Sequence, residues 1–301
     1  MFDMFNQDDS DSQGNQEQEY TSSPNVSGDI FVVSIGGSLL FKAKPDTEKL
    51  RQLGEVISEI HNSGKRIILV VGGGKIARDY VEVLRSFGAG NFEQDLMGIT
   101  ITRANALLVA SSIHEAHGEV LTEITKVKEV LNQGKIPVFG GVLPFFTTDS
   151  VGALLAEYLN ANFVNLTNVD GIYSADPKDY PDAKRYDEIS YANLFDLISS
   201  SGSKPGQNLV LDIACCMILK RSNIPAVVLD GNDVENFKNY VNGYSFTGTT
   251  IKENANEEIQ SEDVEELMEK PKRKTVKKKR KIKVYKDDKE FSEDDVDSLR
   301  L

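Results

Sequence analysis

The residues of this sequence that could do chemistry are concentrated in one hydroxyl-rich segment and two glycine clusters. Thr147-Thr148-Asp149-Ser150 combines hydroxyl groups with a carboxylate, at a point where an apolar strand is predicted to give way to a helix. The glycine clusters are Gly36-Gly37-Ser38 and Gly72-Gly73-Gly74-Lys75, and each follows an apolar run and precedes a helical pattern. A helix start attracts anions, because its backbone N–H groups are unpaired and its dipole is positive there. The three segments together predict phosphoryl transfer.

The elements that must position these segments alternate between strands and helices. Short apolar runs predict buried strands at 30–35, 66–71, 136–139, 162–166 and 226–229, and helical patterns lie between them, including 95–117, 122–133, 190–200 and 208–221. Asp46 is expected to cap the first long helix, and Gly64 to end it. This alternation predicts an α/β fold with a parallel sheet and helices on both faces. Ligands in such folds bind beyond the carboxyl ends of the strands, where all three segments fall.

Charge is distributed unevenly along the 301 residues, whose formal net charge is −13. Residues 1–29 hold seven acidic residues and no Lys or Arg, and we expect a disordered polar tail there. Residues 30–251, the predicted folded domain, hold 25 acidic and 20 basic residues, a balance that gives no electrostatic case for nucleic acid. Residues 252–301 carry acidic blocks around a basic block from Lys272 to Lys286, which predicts a second disordered tail. A weak contact of this basic block with nucleic acid is the alternative.

Cysteine content and hydropathy bear on the compartment. No apolar run reaches the roughly 18–20 residues of a membrane helix, and residues 1–29 lack the pattern of a signal peptide. Cys215 and Cys216 are adjacent in an apolar helical pattern, so we expect them to pack in the core. The expected location is the reducing cytoplasm.

The triple glycine alone is ambiguous. Gly72 to Ala77 matches G-x-G-x-x-A, with Glu93 and Asp95 about 20 residues further on, which on paper is a dinucleotide fingerprint. A tight turn without a ligand is a second interpretation. The Walker pattern G-x-x-x-x-G-K-[ST] is absent, which excludes an ordinary P-loop. A nicotinamide enzyme would leave the Thr147-Thr148-Asp149 segment unexplained.

The ordered combination of motifs is more specific than any one of them. It consists of Gly36-Gly37-Ser38, the triple glycine with Arg78, Asp95-x-x-Gly98, Thr102-Arg103-x-Asn105, Thr147-Thr148-Asp149, and Thr167-Asn168-Val169-Asp170-Gly171-x-Tyr173-x-x-Asp176-Pro177. This set resembles the amino-acid kinase superfamily and, within it, the archaeal branch of the uridylate (UMP) kinases. The resemblance covers about residues 30–251.

The resemblance implies a three-layer αβα sandwich in which ATP and UMP meet at the carboxyl edge of the sheet. The implied reaction is ATP-dependent phosphorylation of UMP to UDP. Mg²⁺ would be bound mainly by the ATP phosphates, without a dedicated set of protein ligands. The usual assembly of the family is a hexamer built from dimers.

The resemblance also assigns roles to individual residues. Those expected to assist the transfer directly are Arg78, Asp149 and Lys75. Those expected to contact ATP are Gly36, Gly37, Ser38, Gly74 and Arg78 at the phosphates, and Thr167, Asn168, Tyr173 and Asp176 at the base and ribose. Those expected to contact UMP are Gly73, Asp95 and the loop formed by Val142, Leu143, Pro144, Phe145, Phe146, Thr147 and Thr148.

Two positions depart from the pattern of the family. Ser34 stands where many members carry a lysine, so Lys75 or Arg78 is expected to supply the positive charge. Phe145 stands where the UMP loop usually has glycine. These departures leave two alternatives open: a related kinase with another phosphate or carboxylate acceptor, and a non-catalytic nucleotide-binding protein.

Overall fold

A computed structural model describes residues 30–177, 179–200, 210–253, 285–286 and 289–290. The chain divides into two units, of which the first comprises residues up to 172 together with 185–257, and the second comprises 173–184 together with 258–301. The predicted tail at 1–29 lies outside the described residues, as does most of the tail predicted from 252 onward. The boundaries of the folded domain at 30 and 251 therefore stay predictions.

A seven-stranded, mainly parallel sheet forms the centre of the first unit. The strands described before the C-terminal tail are β1 (Ile30–Ile35), β2 (Arg66–Val71), β3 (Val138–Phe139), β4 (Asn162–Thr167), β5 (Ile172–Tyr173), β6 (Arg185–Tyr186), β7 (Glu188–Ile189), β8 (Ala226–Asp230) and β9 (Thr249–Ile251). The central sheet has the order β3-β2-β1-β4-β8-β9-β7. All neighbours are parallel except β8 and β9, so β9 and β7 run opposite to the other five strands.

Helices cover both faces of this sheet. They are α1 (Gly37–Leu40), α2 (Thr47–Asn62), α3 (Gly74–Ser86), α4 (Asn91–Ser111), α5 (Val127–Asn132), α6 (Thr148–Leu159), α7 (Tyr191–Ser200), α8 (Ile213–Arg221) and α9 (Val234–Val241), with a 3-10 turn at Ile124–Lys126. The Asp46 side chain accepts from the Lys49 N–H at the start of α2, and Gly64 follows the end of α2 with φ +95°, so both predicted helix signals are confirmed.

Alternate residues of the central strands enter two separate cores. Ile30 and Val32 of β1 pack with α5, α6, α7 and α8, whereas Phe31 and Val33 pack with α2, α4 and α9. Both faces of β1 are buried, which is why its sequence is uniformly apolar rather than alternating. The predicted three-layer αβα sandwich is therefore confirmed.

Several element boundaries differ from the sequence predictions. The run at 136–139 forms a strand only at Val138–Phe139, since Pro137 has no N–H to donate. The helix predicted at 95–117 begins earlier, at Asn91, and ends at Ser111. The helix predicted at 122–133 is a 3-10 turn followed by the six residues of α5.

The second unit is described in two parts. Within 173–184, the Ser174 N–H donates to the Lys184 carbonyl at 2.9 Å, and the Tyr180 N–H donates to the Asp176 carbonyl at 2.9 Å. Two further strands, β10 (Tyr285–Lys286) and β11 (Lys289–Glu290), pair antiparallel within the charged C-terminal region. Over the described residues of the whole chain, no helix is both long and apolar enough to span a membrane.

Candidate active site

The two glycine clusters form the turns that follow β1 and β2, and these turns are called the glycine corners below. Backbone hydrogen bonds join each corner to a neighbouring strand. The Gly36 N–H, directly after β1, donates to the Leu166 carbonyl of β4 at 2.8 Å. The Gly72 N–H, directly after β2, donates to the Ile35 carbonyl of β1 at 3.0 Å. The turns leaving β1 and β2 thus lie side by side with the end of β4 at the carboxyl edge of the sheet. This is the edge at which ligands of α/β sheets bind.

Contact between the two corners is so close that it requires glycine. A Cβ placed on Gly37 would lie 2.1 Å from the Gly74 nitrogen, well inside van der Waals contact. Gly74 itself has φ +65°, a conformation that L side chains rarely adopt. Gly37 begins α1 and Gly74 begins α3, so the structure brings two helix starts together. Ser38 is half-buried in the first turn of α1.

The cations expected at this edge have different surroundings. Lys75 is exposed and forms an ion pair with Asp79, one turn further along α3. Arg78 is exposed, and within the described part of the chain its guanidinium has no hydrogen-bonding or ionic partner. Arg85 lies seven residues after Arg78, which places both on the same side of α3. Of the two candidates for the missing lysine, Arg78 is therefore the one whose charge is not neutralised by a neighbour.

The Thr147 segment begins α6 as predicted. The Thr147 hydroxyl accepts from the Ser150 N–H at 3.1 Å, which makes Thr147 the N-cap. Asp149 is in the first turn, and its Oδ1 accepts a hydrogen bond of 2.6 Å from Ser34, which is fully buried in β1. Ser34, the residue at the position of the expected lysine, is thus bonded directly to the carboxylate predicted to organise the transfer. Thr148, next to it, is half-buried.

The environment of Asp149 raises the pKa of its carboxyl towards neutral pH. Burial raises the pKa of the Asp149 carboxyl from its ordinary value of 3.8 to about 6. The hydrogen bond from Ser34 lowers this pKa, and the negative charge of Asp212 raises it. Such a displaced pKa is a common property of functional carboxylates, although structural carboxylates show it too.

Asp212 is a central residue of the site that the sequence analysis did not identify. Its carboxylate accepts hydrogen bonds from the Thr147 hydroxyl, from the Ser150 hydroxyl at 2.8 Å and from the Cys215 N–H at 2.9 Å. The same side chain is the N-cap of α8, so it joins the starts of α6 and α8. An Asp before the apolar run of α8 is a recognisable cap signal, but its partners 62 and 65 residues away have no such signature.

A cavity of about 430 Å³ opens between α3, α4 and the loop before α6. Six of the residues predicted to bind UMP line it: Asp95, Leu143, Phe145, Phe146, Thr147 and Thr148. Gly73, Val142 and Pro144 are not among its lining residues. Gly73 is nevertheless adjacent, because a Cβ on it would lie 3.4 Å from the methyl group of Thr102, which does line the cavity. The volume is in the usual range for small-molecule sites.

Arg85 is a cation in the lining of this cavity that the sequence analysis did not single out. Its guanidinium donates to the Gln94 side-chain oxygen at 3.1 and 3.3 Å, and both residues line the cavity. The available signal was the seven-residue spacing from Arg78 along one side of a helix. The cavity therefore contains a cation from α3 and the carboxylate of Asp95 from α4.

The loop over this cavity is held at both ends. At its start, the Gly141 N–H donates to the Thr102 hydroxyl at 2.7 Å, and Arg103 Nε donates to the Gly141 carbonyl at 3.0 Å. At its end, Thr147 caps α6. Between these points the Phe145 N–H donates to Asp95 Oδ2 at 2.8 Å. Asn105, from the same motif, donates to the Gly72 and Gly73 carbonyls at 3.0 and 3.1 Å.

The residues expected at the ATP base and ribose are only partly placed together. Thr167 ends β4 and lies beside the first glycine corner, since its Cα is 3.7 Å from where a Gly36 Cβ would stand. Asn168 follows it and is exposed. Tyr173 and Asp176 belong to the second unit, so their assignment to the ATP side stays a prediction.

Carboxylates suited to a metal are sparse. Within the described ranges, no group of three or more His, Cys, Asp or Glu side chains could hold a metal ion. Asp149 and Asp212 are the acidic residues nearest the Thr147 turn, and Asp212 already accepts three hydrogen bonds. Mg²⁺ commonly uses one or two carboxylates together with substrate phosphates, and this site is compatible with that mode of binding.

Comparison with known proteins agrees with this geometry. The model of the amino acid kinase family matches residues 29–230. The uridylate kinase of Pyrococcus abyssi is 39% identical over 223 residues, which is 73% of this chain and 98% of that protein. The uridylate kinase of Archaeoglobus fulgidus is 39% identical over 221 residues, with the same shares of the two chains.

Solved structures give the same result. The crystal structure of the Archaeoglobus fulgidus uridylate kinase superposes with a TM-score of 0.66 at 38% identity, covering 73% of this chain and 99% of that one. The UMP kinase of Bacillus anthracis, at 21% identity and a TM-score of 0.65, shares the fold. The chain therefore belongs to the amino acid kinase family, in its archaeal uridylate kinase branch.

Proposed function

We propose that this chain catalyses the ATP-dependent phosphorylation of UMP to UDP, a step of pyrimidine nucleotide synthesis. The observation that carries the proposal is the placement of two interlocked glycine corners beside a cavity lined by Asp95, Thr147 and Thr148. The uridylate kinases to which the chain is similar support the same reaction. In this reaction a phosphate oxygen of UMP attacks the γ-phosphorus of ATP, and the bond to the ADP oxygen breaks.

On the donor side, backbone groups would do most of the binding. We assign the ATP phosphates to Gly36, Gly37, Ser38 and Gly74, because the starts of α1 and α3 converge there. Arg78 would neutralise charge as it moves to the departing ADP, since no protein carboxylate competes for it among the described residues. Thr167 and Asn168, with Tyr173 and Asp176 of the second unit, are assigned by resemblance to the ribose and base.

On the acceptor side, the cavity would enclose UMP. Asp95 is assigned to the ribose hydroxyls and Gly73 to the neighbouring backbone. The loop over the acceptor would consist of Val142, Leu143, Pro144, Phe145, Phe146, Thr147 and Thr148. Asp95 is bonded to the Phe145 N–H here, so a ribose hydroxyl would share or replace that bond. Acceptor binding and loop position are coupled in this scheme.

Asp149 would organise the space between the two phosphates. Its carboxylate is oriented by Ser34 and stands in the first turn of α6, close to the start of that helix. Lys75 is assigned a supporting role, since its charge is already paired with Asp79. Mg²⁺, when bound to ATP, would neutralise the phosphate oxygens, and the protein would contribute positioning rather than covalent catalysis.

Assembly and location are part of the proposal. Tyr80, Val83 and Phe87 of the α3 region, with Phe92 and Leu96 of α4, are exposed, although the first three belong to the apolar stripe of a helix. Exposed apolar groups of this extent mark an interaction surface. We propose that this α3–α4 face is an interface in a homo-oligomer, for which the family assembly is a hexamer. The unpaired cysteines are consistent with a reducing cytoplasm.

The second candidate function is that of a related kinase with another acceptor, and two observations favour it. Ser34 and Phe145 both depart from the pattern of the family; Ser34 is bonded to Asp149 at the proposed transfer site, and Phe145 lines the cavity proposed for the acceptor. A related kinase acting on a different phosphate or carboxylate, or a non-catalytic nucleotide-binding protein, would retain the same glycine corners. ATP-induced thermal stabilisation without ADP production would indicate the non-catalytic protein.

The test is a panel of acceptors with purified protein, ATP and Mg²⁺. We expect UDP from UMP, at a higher kcat/KM than for other nucleoside monophosphates or small acids. Arg78→Ala should lower turnover by about 10²-fold or more, as for the loss of one positioned charge. Arg51→Ala removes an exposed arginine of α2 that pairs with Glu48 and Glu55, and it is the matched control.

Two results would contradict the assignment. Productive turnover of another acceptor without UDP formation would refute the reaction. Full activity of the Arg78→Ala variant would remove Arg78 from the site while leaving the reaction intact.

A further inference from the structure

Phe145 combines a conformation and an exposure that are unusual for an aromatic residue. Its φ is +74°, in the left-handed region that L side chains with a bulky Cβ substituent rarely occupy. Its side chain is 81% exposed, although it belongs to a loop whose two ends are anchored. No packing contact among the described residues explains either feature. Strained residues of this kind persist where the surrounding structure holds them, commonly at ligand sites.

Two contacts hold the ring of Phe145 in position at the cavity. The Phe145 N–H is bound by the carboxylate of Asp95, which fixes the backbone. The ring meets Phe146 edge to face, with centroids 5.7 Å apart and planes at 89°, and Phe146 packs in turn against the core that contains α6. The ring lines a cavity of about 430 Å³ and is largely exposed, so much of its surface is available to a ligand there.

The chemistry of the cavity indicates what the ring would contact. In the proposed function the phosphates lie towards the glycine corners, and Asp95 binds the ribose hydroxyls. In a nucleoside monophosphate the base is attached to C1′, the carbon next to the one that carries the 2′ hydroxyl. Because Phe145 is bonded to Asp95 through its own N–H, its ring lies near the position proposed for the ribose, to which the base is attached.

We propose that Phe145 is a specificity-determining residue whose ring stacks on the base of the acceptor nucleotide. The inference rests on the proposed function. Every base has an aromatic face, so stacking tolerates different bases and discriminates against acceptors that have none. Phe145 would therefore separate nucleotides from simple sugar phosphates, and it would not separate uracil from cytosine.

The experiment compares dissociation constants by calorimetry for UMP, CMP and ribose 5-phosphate, the last of which lacks a base. The variants are Phe145→Gly, which also removes the strained conformation, and Phe145→Leu, which keeps an apolar side chain of similar size. We expect both to weaken UMP and CMP binding by the same factor, about 5- to 100-fold, or about 1–3 kcal/mol at 1.4 kcal/mol per tenfold. Ribose 5-phosphate binding should be the same in both variants as in the unaltered protein. Phe145→Tyr, which keeps an aromatic ring, should bind UMP as tightly as the unaltered protein does.

The matched control is Tyr244→Leu, which changes an exposed aromatic residue that does not line the cavity. All variants are first compared by thermal unfolding, so that a folding defect is recognised. Unchanged UMP binding in Phe145→Leu would overturn the proposal, as would an equal loss for all three ligands, which would mean that the ring only supports the loop. A loss for UMP but not for CMP would also overturn it, because recognition would then be at the base edge.

The inference and the proposed function fail separately. Absence of UDP formation by the unaltered protein would refute the reaction, whereas the ratio of UMP to ribose 5-phosphate affinity needs no turnover. A kinase that makes UDP but binds ribose 5-phosphate as tightly as UMP would retain its function and exclude stacking by Phe145.

Discussion

Replacing Asp149 with Asn should make the protein more stable at neutral pH while impairing catalysis. The carboxyl has a pKa of about 6 in the folded chain against an ordinary value of 3.8, so the folded state holds its proton more tightly than the unfolded state does. Stability therefore falls as the pH rises from about 4 to 6, and above pH 6 the full cost of the buried charge is present. Asn has the size of Asp and keeps an oxygen that can accept from Ser34, but it carries no charge.

The size of the effect follows from the two pKa values. At 1.36 kcal/mol per pH unit, their difference corresponds to about 3 kcal/mol, and we expect about 2–3 kcal/mol because solvent reaches part of this residue. The assay is urea unfolding of both proteins without nucleotide, at pH 4, 5, 6, 7 and 8 and one protein concentration. The gain in the free energy of unfolding should be near zero at pH 4 and complete by pH 7. Turnover should fall by about 10²-fold or more.

The control separates burial from the mere loss of a negative charge. Asp182→Asn removes an exposed carboxylate, where there is no burial cost to recover. Its effect on the free energy of unfolding should be small and should not follow the same pH curve. A stability difference between Asp149→Asn and the unaltered protein that is independent of pH, or a loss of stability at pH 8, would refute the reasoning.

Two further predictions concern other parts of the molecule. Asp212→Asn should lower turnover and cost about 1–3 kcal/mol in the free energy of unfolding, because an amide cannot accept all the bonds from Thr147, Ser150 and Cys215. Asp233→Asn, at the N-cap of α9, is the control and should change neither stability nor turnover appreciably, because Asn caps a helix as well as Asp does. Equal activity of the two variants would contradict the role of Asp212. Leu96→Glu should reduce the molar mass measured by light scattering, because it places a charge on the α3–α4 face. Met217→Glu, at an exposed position of α8, should leave the mass unchanged, and an unchanged mass for Leu96→Glu would exclude the α3–α4 face as the interface.

The central strands were predictable because burial on both faces leaves a direct trace in the sequence. The apolar runs at β1 and β2 have the predicted bounds, and the run at 226–229 extends by one residue, to Asp230. The glycines after β1 and β2 marked the turns, since close backbone contact tolerates no side chain. Apolar strands that are followed by glycine turns can therefore be predicted without knowledge of the tertiary structure.

Secondary-structure elements that depend on partners far away in the chain could not be predicted from the sequence. β7 has two residues and β9 has three, and they become strands only by pairing with each other and with β8. Tyr80, Val83 and Phe87 form a helical stripe that indicates burial, yet the single chain leaves them exposed. Helical periodicity shows which residues share a side of α3, but not whether that side meets the core or another molecule.

The candidate site divides in the same way. Glycine and threonine turns were visible as motifs, so Gly37, Gly74 and Thr147 could be named from sequence alone. Asp212 and Arg85 could not, because their significance comes from hydrogen bonds and cavity walls formed by segments far away in the chain. The roles of individual residues towards ATP and UMP remain predictions for the experiments above.

The interlocked glycine corners have a consequence for how such an enzyme could diverge. The backbones of Gly37 and Gly74 are in contact, and each corner is hydrogen-bonded to the strand beside it. The separation of the two corners is therefore set by the spacing of neighbouring strands in a β-sheet, about 4.8 Å. Substitutions in the loop from Val142 to Thr148 do not change that spacing. In the proposed scheme, substitutions at Phe145 and its neighbours would change the acceptor preference, while the spacing of the backbone groups assigned to the ATP phosphates would stay the same.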